Sequence, residues 1–219
     1  MSEGREPQIA AIVLAAGRST RMGAANKLTA DVGGKPMLRW AAEAALASRA
    51  RPILVVTGHR EGDVRAALAG LDARLVANPD FAQGLSTSLR AGIAAVPADC
   101  DGALVLLGDM PRIEAPHLDR LIGAFAPGAI VVPVHRGRQG NPVLWPRALF
   151  PEIIQLEGDA GAKHLIGAHR DAVREVEMGT TAILADVDTP EALQRLRDGQ
   201  TEFPSPLRGG VRGGGNPDR

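Results

Sequence analysis

Residues 13–27 read VLAAGRSTRMGAANK, the end of an apolar run followed at once by a loop of small residues carrying two arginines and then a lysine. Residues 9–14 form a continuous apolar, β-rich stretch, which predicts a buried strand. Ala15, Ala16, Gly17, Ser19 and Gly23 are small enough to let backbone N–H groups face an anion directly. Arg18, Arg21 and Lys27 supply positive charge on mobile side chains around the same point, which a polyphosphate needs and a packed turn does not. A loop of this kind at the start of an α/β chain faces a ligand crevice. The pattern therefore points to a nucleoside triphosphate.

Two common phosphate loops are excluded by their spelling. A Walker loop requires G-x-x-x-x-G-K-[ST], whereas Gly17 and Gly23 are too far apart and Ala24 stands where the lysine belongs. A dinucleotide fingerprint requires G-x-G-x-x-G, and Gly17 has Ser19 two places on.

Outward from this loop, apolar β-type runs recur at 53–57, 74–77, 103–107, 130–133 and 143–145, with a weaker one at 172–177. Helical patterns occupy 36–48, 62–69, 86–95, 115–126, 160–168 and 190–197. Strands alternating with helices over most of the chain predict a three-layer α/β/α sandwich around a mostly parallel, Rossmann-like sheet. Ligands collect beyond the carboxyl ends of such strands, so the loops after Leu14, Thr57, Ala77 and Leu107 are the ones to watch. Residues 1–198 read as one domain. Residues 199–219, GQTEFPSPLRGGVRGGGNPDR, are rich in Gly, Pro and Arg, and such a composition predicts a disordered tail.

Composition narrows the function classes. Equal numbers of acidic and basic residues, 25 of each, make a poor general polyanion binder. With no Tyr, four Phe and two Trp, the chain also lacks the aromatic platforms on which single-stranded nucleic acid stacks. No nucleic-acid partner is expected. A single cysteine, Cys100, allows neither an internal disulfide nor a cysteine metal cluster. No apolar run approaches the roughly 18 residues of a membrane span, and the expected compartment is the cytoplasm.

Carboxylates appear where a metal would be useful. Residues 104–107 run into Gly108-Asp109-Met110-Pro111, placing Asp109 at a strand exit. A carboxylate there suits Mg²⁺, a hard cation that takes one or two carboxylates together with phosphate oxygens. An Asx-turn is the plainer reading of the same letters, and the neighbouring basic loop tips the choice toward metal. Far along the chain, Asp186-Val187-Asp188-Thr189-Pro190-Glu191 offers a second carboxylate, Asp188 in preference to Asp186. The same letters also spell a helix start, capped by Asp188 or Thr189. Residues 83–92, QGLSTSLRAG, open a helix whose N–H groups and hydroxyls could bind a base or ribose. None of the five histidines has a neighbouring nucleophile motif.

Taken together, these segments resemble the nucleotidyltransferases of the molybdenum cofactor family, with the closest match to its cytidylyltransferases. The resemblance covers about residues 9–196 and rests on LAAGRSTRMG, the following Lys27, Gly34-Lys35-Pro36, GLSTSLRAG, LGDMP, GNPV at 140–143, GDAGAK at 158–163 and DVDTPE. It implies Mg²⁺-dependent transfer of CMP from CTP to the terminal phosphate of a molybdopterin-type acceptor, with release of pyrophosphate. It further implies that Leu14, Ala15, Ala16, Gly17, Arg18, Ser19 and Arg21 hold the triphosphate and that Lys27 meets the α-phosphate. Asp109 and Asp188 would hold the metal, and Ala15, Ala16, Gly84 and Ser88 would surround the base. Gly140, Asn141, Pro142, Gly158, Asp159 and Gly161 would lie on the acceptor side, within an acceptor-binding part at about 130–185. Arg21, Lys27 and Asp109 are the residues expected to carry catalysis.

Guanylyl-transferring relatives carry LAGG where this chain has Leu14-Ala15-Ala16-Gly17, so the extra methyl at Ala16 favours CTP. Such a methyl alters selectivity by only about 1–3 kcal/mol, which leaves GTP and ATP as alternatives. Two rival readings follow. The first is the same transfer to a sugar or alditol phosphate. The second is a non-catalytic carrier of finished cofactor for a molybdenum hydroxylase, which would have no use for Arg21, Lys27 and Asp109 together.

Overall fold

The computed structural model describes residues 5–18, 26–158 and 162–198. Its strands and helices, in chain order, are β1 (Ile9–Ala15), β2 (Asp31–Val32), β3 (Lys35–Pro36), α1 (Met37–Ala47), β4 (Ile53–Thr57), α2 (Glu61–Ala67), β5 (Arg74–Ala77), α3 (Leu85–Ala94), β6 (Gly102–Leu107), α4 (Ala115–Gly123), β7 (Ile130–His135), β8 (Arg138–Gln139), β9 (Val143–Pro146), α5 (Phe150–Ile154), α6 (Lys163–Ala168), β10 (Val173–Glu177) and α7 (Pro190–Arg197).

β1 is buried along its whole length, and its side chains alternate between two separate cores. Ile9, Ala11, Val13 and Ala15 face one side with Leu38 and Ala41 of α1, Val64 of α2 and Leu118 and Leu121 of α4. Ala10, Ile12, Leu14 and Ala16 face the other with Leu89 and Ile93 of α3, Phe150 and Ile153 of α5 and Leu165 of α6. A strand apolar on both faces has to sit inside a sheet covered by helices on both sides, which gives the expected three layers.

The sheet order is β10-β7-β9-β6-β1-β4-β5, with β8 paired to β7. β6, β1, β4 and β5 are mutually parallel, as are β7 and β10. β9 runs against both β6 and β7, and β8 runs against β7. The predicted sheet is therefore present, with one reversed strand in its middle. Close packing across the layers depends on Gly92 in α3, where an added Cβ would come 2.6 Å from Ile12 Cγ2 and 3.1 Å from Val56 Cγ2.

Four short elements fall outside the predicted pattern. β2 and β3 are joined by Gly33 and Gly34, at φ +61° and +86°, a two-residue turn that needs left-handed backbone at both positions. β8 is two residues long, and α5 is a five-residue helix anchored by Phe150 and Ile153. Elements this short present no full period to read. The helix expected at 160–168 is described from Lys163 onward, and the tail predicted at 199–219 lies outside the described residues. Among the described residues no helix is long and apolar enough to cross a membrane.

Candidate active site

Since β6, β1, β4 and β5 are parallel neighbours, the loops after Leu107, Ala15, Thr57 and Ala77 open on one edge of the sheet. The exits of β1 and β6 are drawn together by Gly108, whose N–H donates to Leu14 O at 3.0 Å. A Cβ on Gly108 would come 2.8 Å from Leu38 Cδ1 and 3.0 Å from Leu14 O, so glycine is what permits the approach. Asp109 is thereby set beside the chain that follows β1.

Lys27 arrives on a short 3₁₀ turn, Lys27–Thr29. Asn26, buried, caps this turn by accepting from Leu28 N at 3.1 Å, and Leu28 is buried against the core. The ammonium then meets two carboxylates. Lys27 Nζ lies 2.5 Å from Asp109 Oδ2 and 2.6 Å from Asp188 Oδ1. The Lys27 and Asp109 side chains are only 14% and 13% exposed, while Asp188 is 38% exposed at the crevice mouth. Burial opposes the lysine's charge, but the field of Asp109 and hydrogen bonds to both carboxylates outweigh it and hold the ammonium above its ordinary value.

Asp188 reaches this point because the preceding residue is pinned. Val187 is fully buried, and its N–H donates to Asp109 O at 3.1 Å. Thr189, not Asp188, caps α7 by accepting from Ala192 N, which leaves the Asp188 carboxylate for the crevice. Asp186 lies within the field of Lys27, Asp109 and Asp188. Partial burial and then the neighbouring Asp188 and Asp109 push its carboxyl above the usual range. Asp109 Oδ1 is buried and meets no hydrogen-bond partner among the described residues. Two carboxylates converging on one cationic group, one of them with an unsatisfied oxygen, offer oxygens of the kind a hard divalent cation takes. Among the described residues there is no group of three metal-ligating side chains, so such a cation would need further oxygens from its ligand.

Leu14, Ala15 and Ala16 are buried at the end of β1, while Gly17 and Arg18 are exposed. The Ala16 side chain faces the α3 core, beside Gly58. Arg18 stacks over Phe81 at 5.5 Å, and Phe81 also meets the His59 ring at 5.9 Å. Ser19, Arg21, Asp159 and Gly161 lie outside the described residues. Gly84, at φ +113°, begins α3, and the Ser88 hydroxyl accepts from Asn78 Nδ2 at 3.0 Å. Gly158, at φ +70°, accepts from Ser86 N at 3.2 Å, so the 158 loop joins the start of α3.

Gly140, Asn141 and Pro142 precede a strand that runs backwards. Val143 therefore enters beside Val105, at the crevice end of β6. Asn141 N donates to Ile183 O at 2.9 Å, so residues 183–188 touch Asn141 at one end and Asp109 at the other. Three residues that organise this edge escaped the sequence reading. Asn78, buried, donates to Thr87 and Ser88 and accepts from Asp80 N. Asn26 aims Lys27, and Phe81 receives Arg18. Asn78 had a legible signal, a polar residue directly after a strand; the other two depend on contacts between distant segments.

A mostly parallel sheet that sets a lysine and two carboxylates over the exits of adjacent strands defines an α/β nucleotidyltransferase scaffold. The chain belongs to the MobA-like NTP transferase domain family, whose model matches residues 11–173. It is similar to the purine catabolism protein PucB of Bacillus subtilis, 31% identical over 88% of this chain and 98% of that protein. It is also similar to the molybdenum cofactor cytidylyltransferase of Escherichia coli, 30% identical over 88% of this chain and 97% of that one. The bifunctional protein GlmU of Kineococcus radiotolerans is 36% identical over 80% of this chain, which spans 36% of that longer protein. Among solved structures, Rv0371c of Mycobacterium tuberculosis in complex with manganese superposes with a TM-score of 0.75 at 30% identity, covering 87% of this chain and 98% of that one. The protein is a nucleotidyltransferase enzyme.

Proposed function

We propose that this nucleotidyltransferase moves CMP from CTP to the terminal phosphate of a molybdopterin-type acceptor, releasing pyrophosphate, with Mg²⁺ as its metal. The observation that carries this reading is the meeting of Lys27 with Asp109 and Asp188 at the exits of β1 and β6. The similarity to a molybdenum cofactor cytidylyltransferase over nearly its full length supports the acceptor, and the manganese complex of a structural relative supports a divalent metal.

An acceptor phosphate monoester has a second pKa near 6, so about nine-tenths is dianionic at neutral pH and already nucleophilic. One of its oxygens attacks the α-phosphorus of CTP, the bond to the β-phosphate oxygen breaks, and pyrophosphate leaves. No general base is required. The obstacle is repulsion between two anions. Lys27 and the arginines of the first loop would lower it by neutralising phosphate charge and aligning an in-line displacement. Asp109 and Asp188 would hold the metal, which when bound supplies further charge neutralisation on the phosphate oxygens. Residues 15–21 would cradle the triphosphate, residues 84–88 the base, and residues 140–142 and 158–161 the acceptor. A hydroxylase that receives the product belongs to the same proposal.

A second reading, the same transfer to a sugar or alditol phosphate, is compatible with the same basic loop and the Lys35-Pro36 pair. A pyrophosphate-release screen of CTP, GTP and ATP against molybdopterin, sugar phosphates and alditol phosphates separates the two. Release is expected with CTP and molybdopterin, and Asp109→Ala and Lys27→Ala should each lower it by about 10²–10³-fold with the fold intact by circular dichroism. Wild-type release from either variant would contradict the assignment.

A further inference from the structure

We propose, resting on the reading above, that the Lys27 ammonium and the divalent cation compete for the same two carboxylate oxygens, so that the metal enters only when a triphosphate draws the lysine away. Lys27 Nζ contacts Asp109 Oδ2 and Asp188 Oδ1 at 2.5 and 2.6 Å, donating a charge-assisted hydrogen bond to each carboxylate. An ammonium already held by both carboxylates engages the same oxygens a divalent cation would need. A dication added beside the lysine would put two cationic groups on the same two carboxylates, in a pocket where Lys27 and Asp109 are largely shielded from water, so their repulsion is poorly screened.

The turn that bears Lys27 is fixed by the Asn26 cap and by buried Leu28, so its backbone is held in place. The four-carbon stem carries the rotatable bonds that could move the ammonium, and it needs a new anion at its destination. A triphosphate supplies that anion together with the additional oxygens the metal requires. Metal and nucleotide then bind as a coupled pair, each strengthening the other by the same factor. The Lys27 side chain thus has two stations, the carboxylate pair and the phosphates.

The test is titration of the full-length protein with Mn²⁺ in the absence of nucleotide, read by the electron paramagnetic resonance signal of free Mn²⁺. Lys27→Met, which keeps the apolar stem and removes the charge, should bind Mn²⁺ about tenfold or more tightly than wild type, within the usual range of coupling between sites. The double variant Lys27→Met/Asp109→Asn should lose that gain. If Lys27→Met fails to fold by circular dichroism, Lys27→Gln takes its place with the same expectation. Equal Mn²⁺ affinity in wild type and the Lys27 variant overturns the competition, as does absence of binding in both. Neither result touches the transferase reading, which pyrophosphate release decides separately in the presence of CTP and Mg²⁺.

Discussion

Lys35 shows how a charged residue near the site is claimed by the fold. It lies 3.5 Å over the Trp40 ring and donates to Glu43, which also accepts from Arg39 Nε at 2.8 Å. Trp40 Nε1 in turn donates to Val32 O at 2.8 Å, so this network fastens the β2–β3 hairpin onto α1. The hydrogen bond from Lys35 is the main reason the Glu43 carboxyl lies below its usual range. A carboxyl lowered on folding contributes stability above its unfolded pKa and loses it as pH falls through the folded value. Glu43 is about one-third exposed, so solvent screening keeps the gain small. Glu43→Gln should cost about 0.5–1 kcal/mol in urea unfolding at neutral pH. The two proteins should converge in acid, and a gap that persists below the carboxyl range would show that the charge is not the cause. Spelling assigned Lys27 to the triphosphate and left Lys35 as a member of the Gly34-Lys35-Pro36 motif without a role. Only the distances separate a lysine stacked on Trp40 from one held by two carboxylates.

At the scale of elements, two glycines make the layers and the site possible for different reasons. A methyl at Gly92 would press on Ile12 and Val56, which overpacks the sheet–helix contact by about 1–3 kcal/mol, partly offset by about 1 kcal/mol from alanine's better helix propensity. Gly140 is less forgiving. A Cβ there would overlap the backbone carbonyl of Ile183, which has no rotamer to give way and belongs to the segment that delivers Asp188. Gly92→Ala should therefore lower stability by up to about 2 kcal/mol with turnover retained, whereas Gly140→Ala should reduce pyrophosphate release more than its stability loss accounts for. Paired urea melts and rate measurements check this, and normal turnover in Gly140→Ala would refute the close-approach argument. The major strands and helices were legible because each carries several turns or pleats of pattern. The direction of β9 was not, since a run such as Val143–Pro146 reads the same in a parallel or an antiparallel pair.

For the whole molecule, the site is assembled from residues 82 and 161 positions apart from Lys27, so its stability and its ligand affinity are linked. A ligand at a hundred times its dissociation constant adds about 2.7 kcal/mol, which for a chain of this size corresponds to about 5–10 °C in Tm. CTP with Mg²⁺ should produce a shift of that order in scanning fluorimetry, and Mg²⁺ alone a much smaller one. An equal shift from Mg²⁺ alone would contradict coupled binding.

The sequence by itself determined the alternation of strands and helices, the small-residue loop after β1 and the aspartate at the β6 exit, because local spacing and residue size fix each of these. The tertiary structure decided that β9 runs backwards and brings residues 140–142 to the crevice, that Thr189 caps α7 while Asp188 turns inward, and that Lys27 bridges both carboxylates. These features depend on contacts between segments far apart in the chain, which no local pattern encodes.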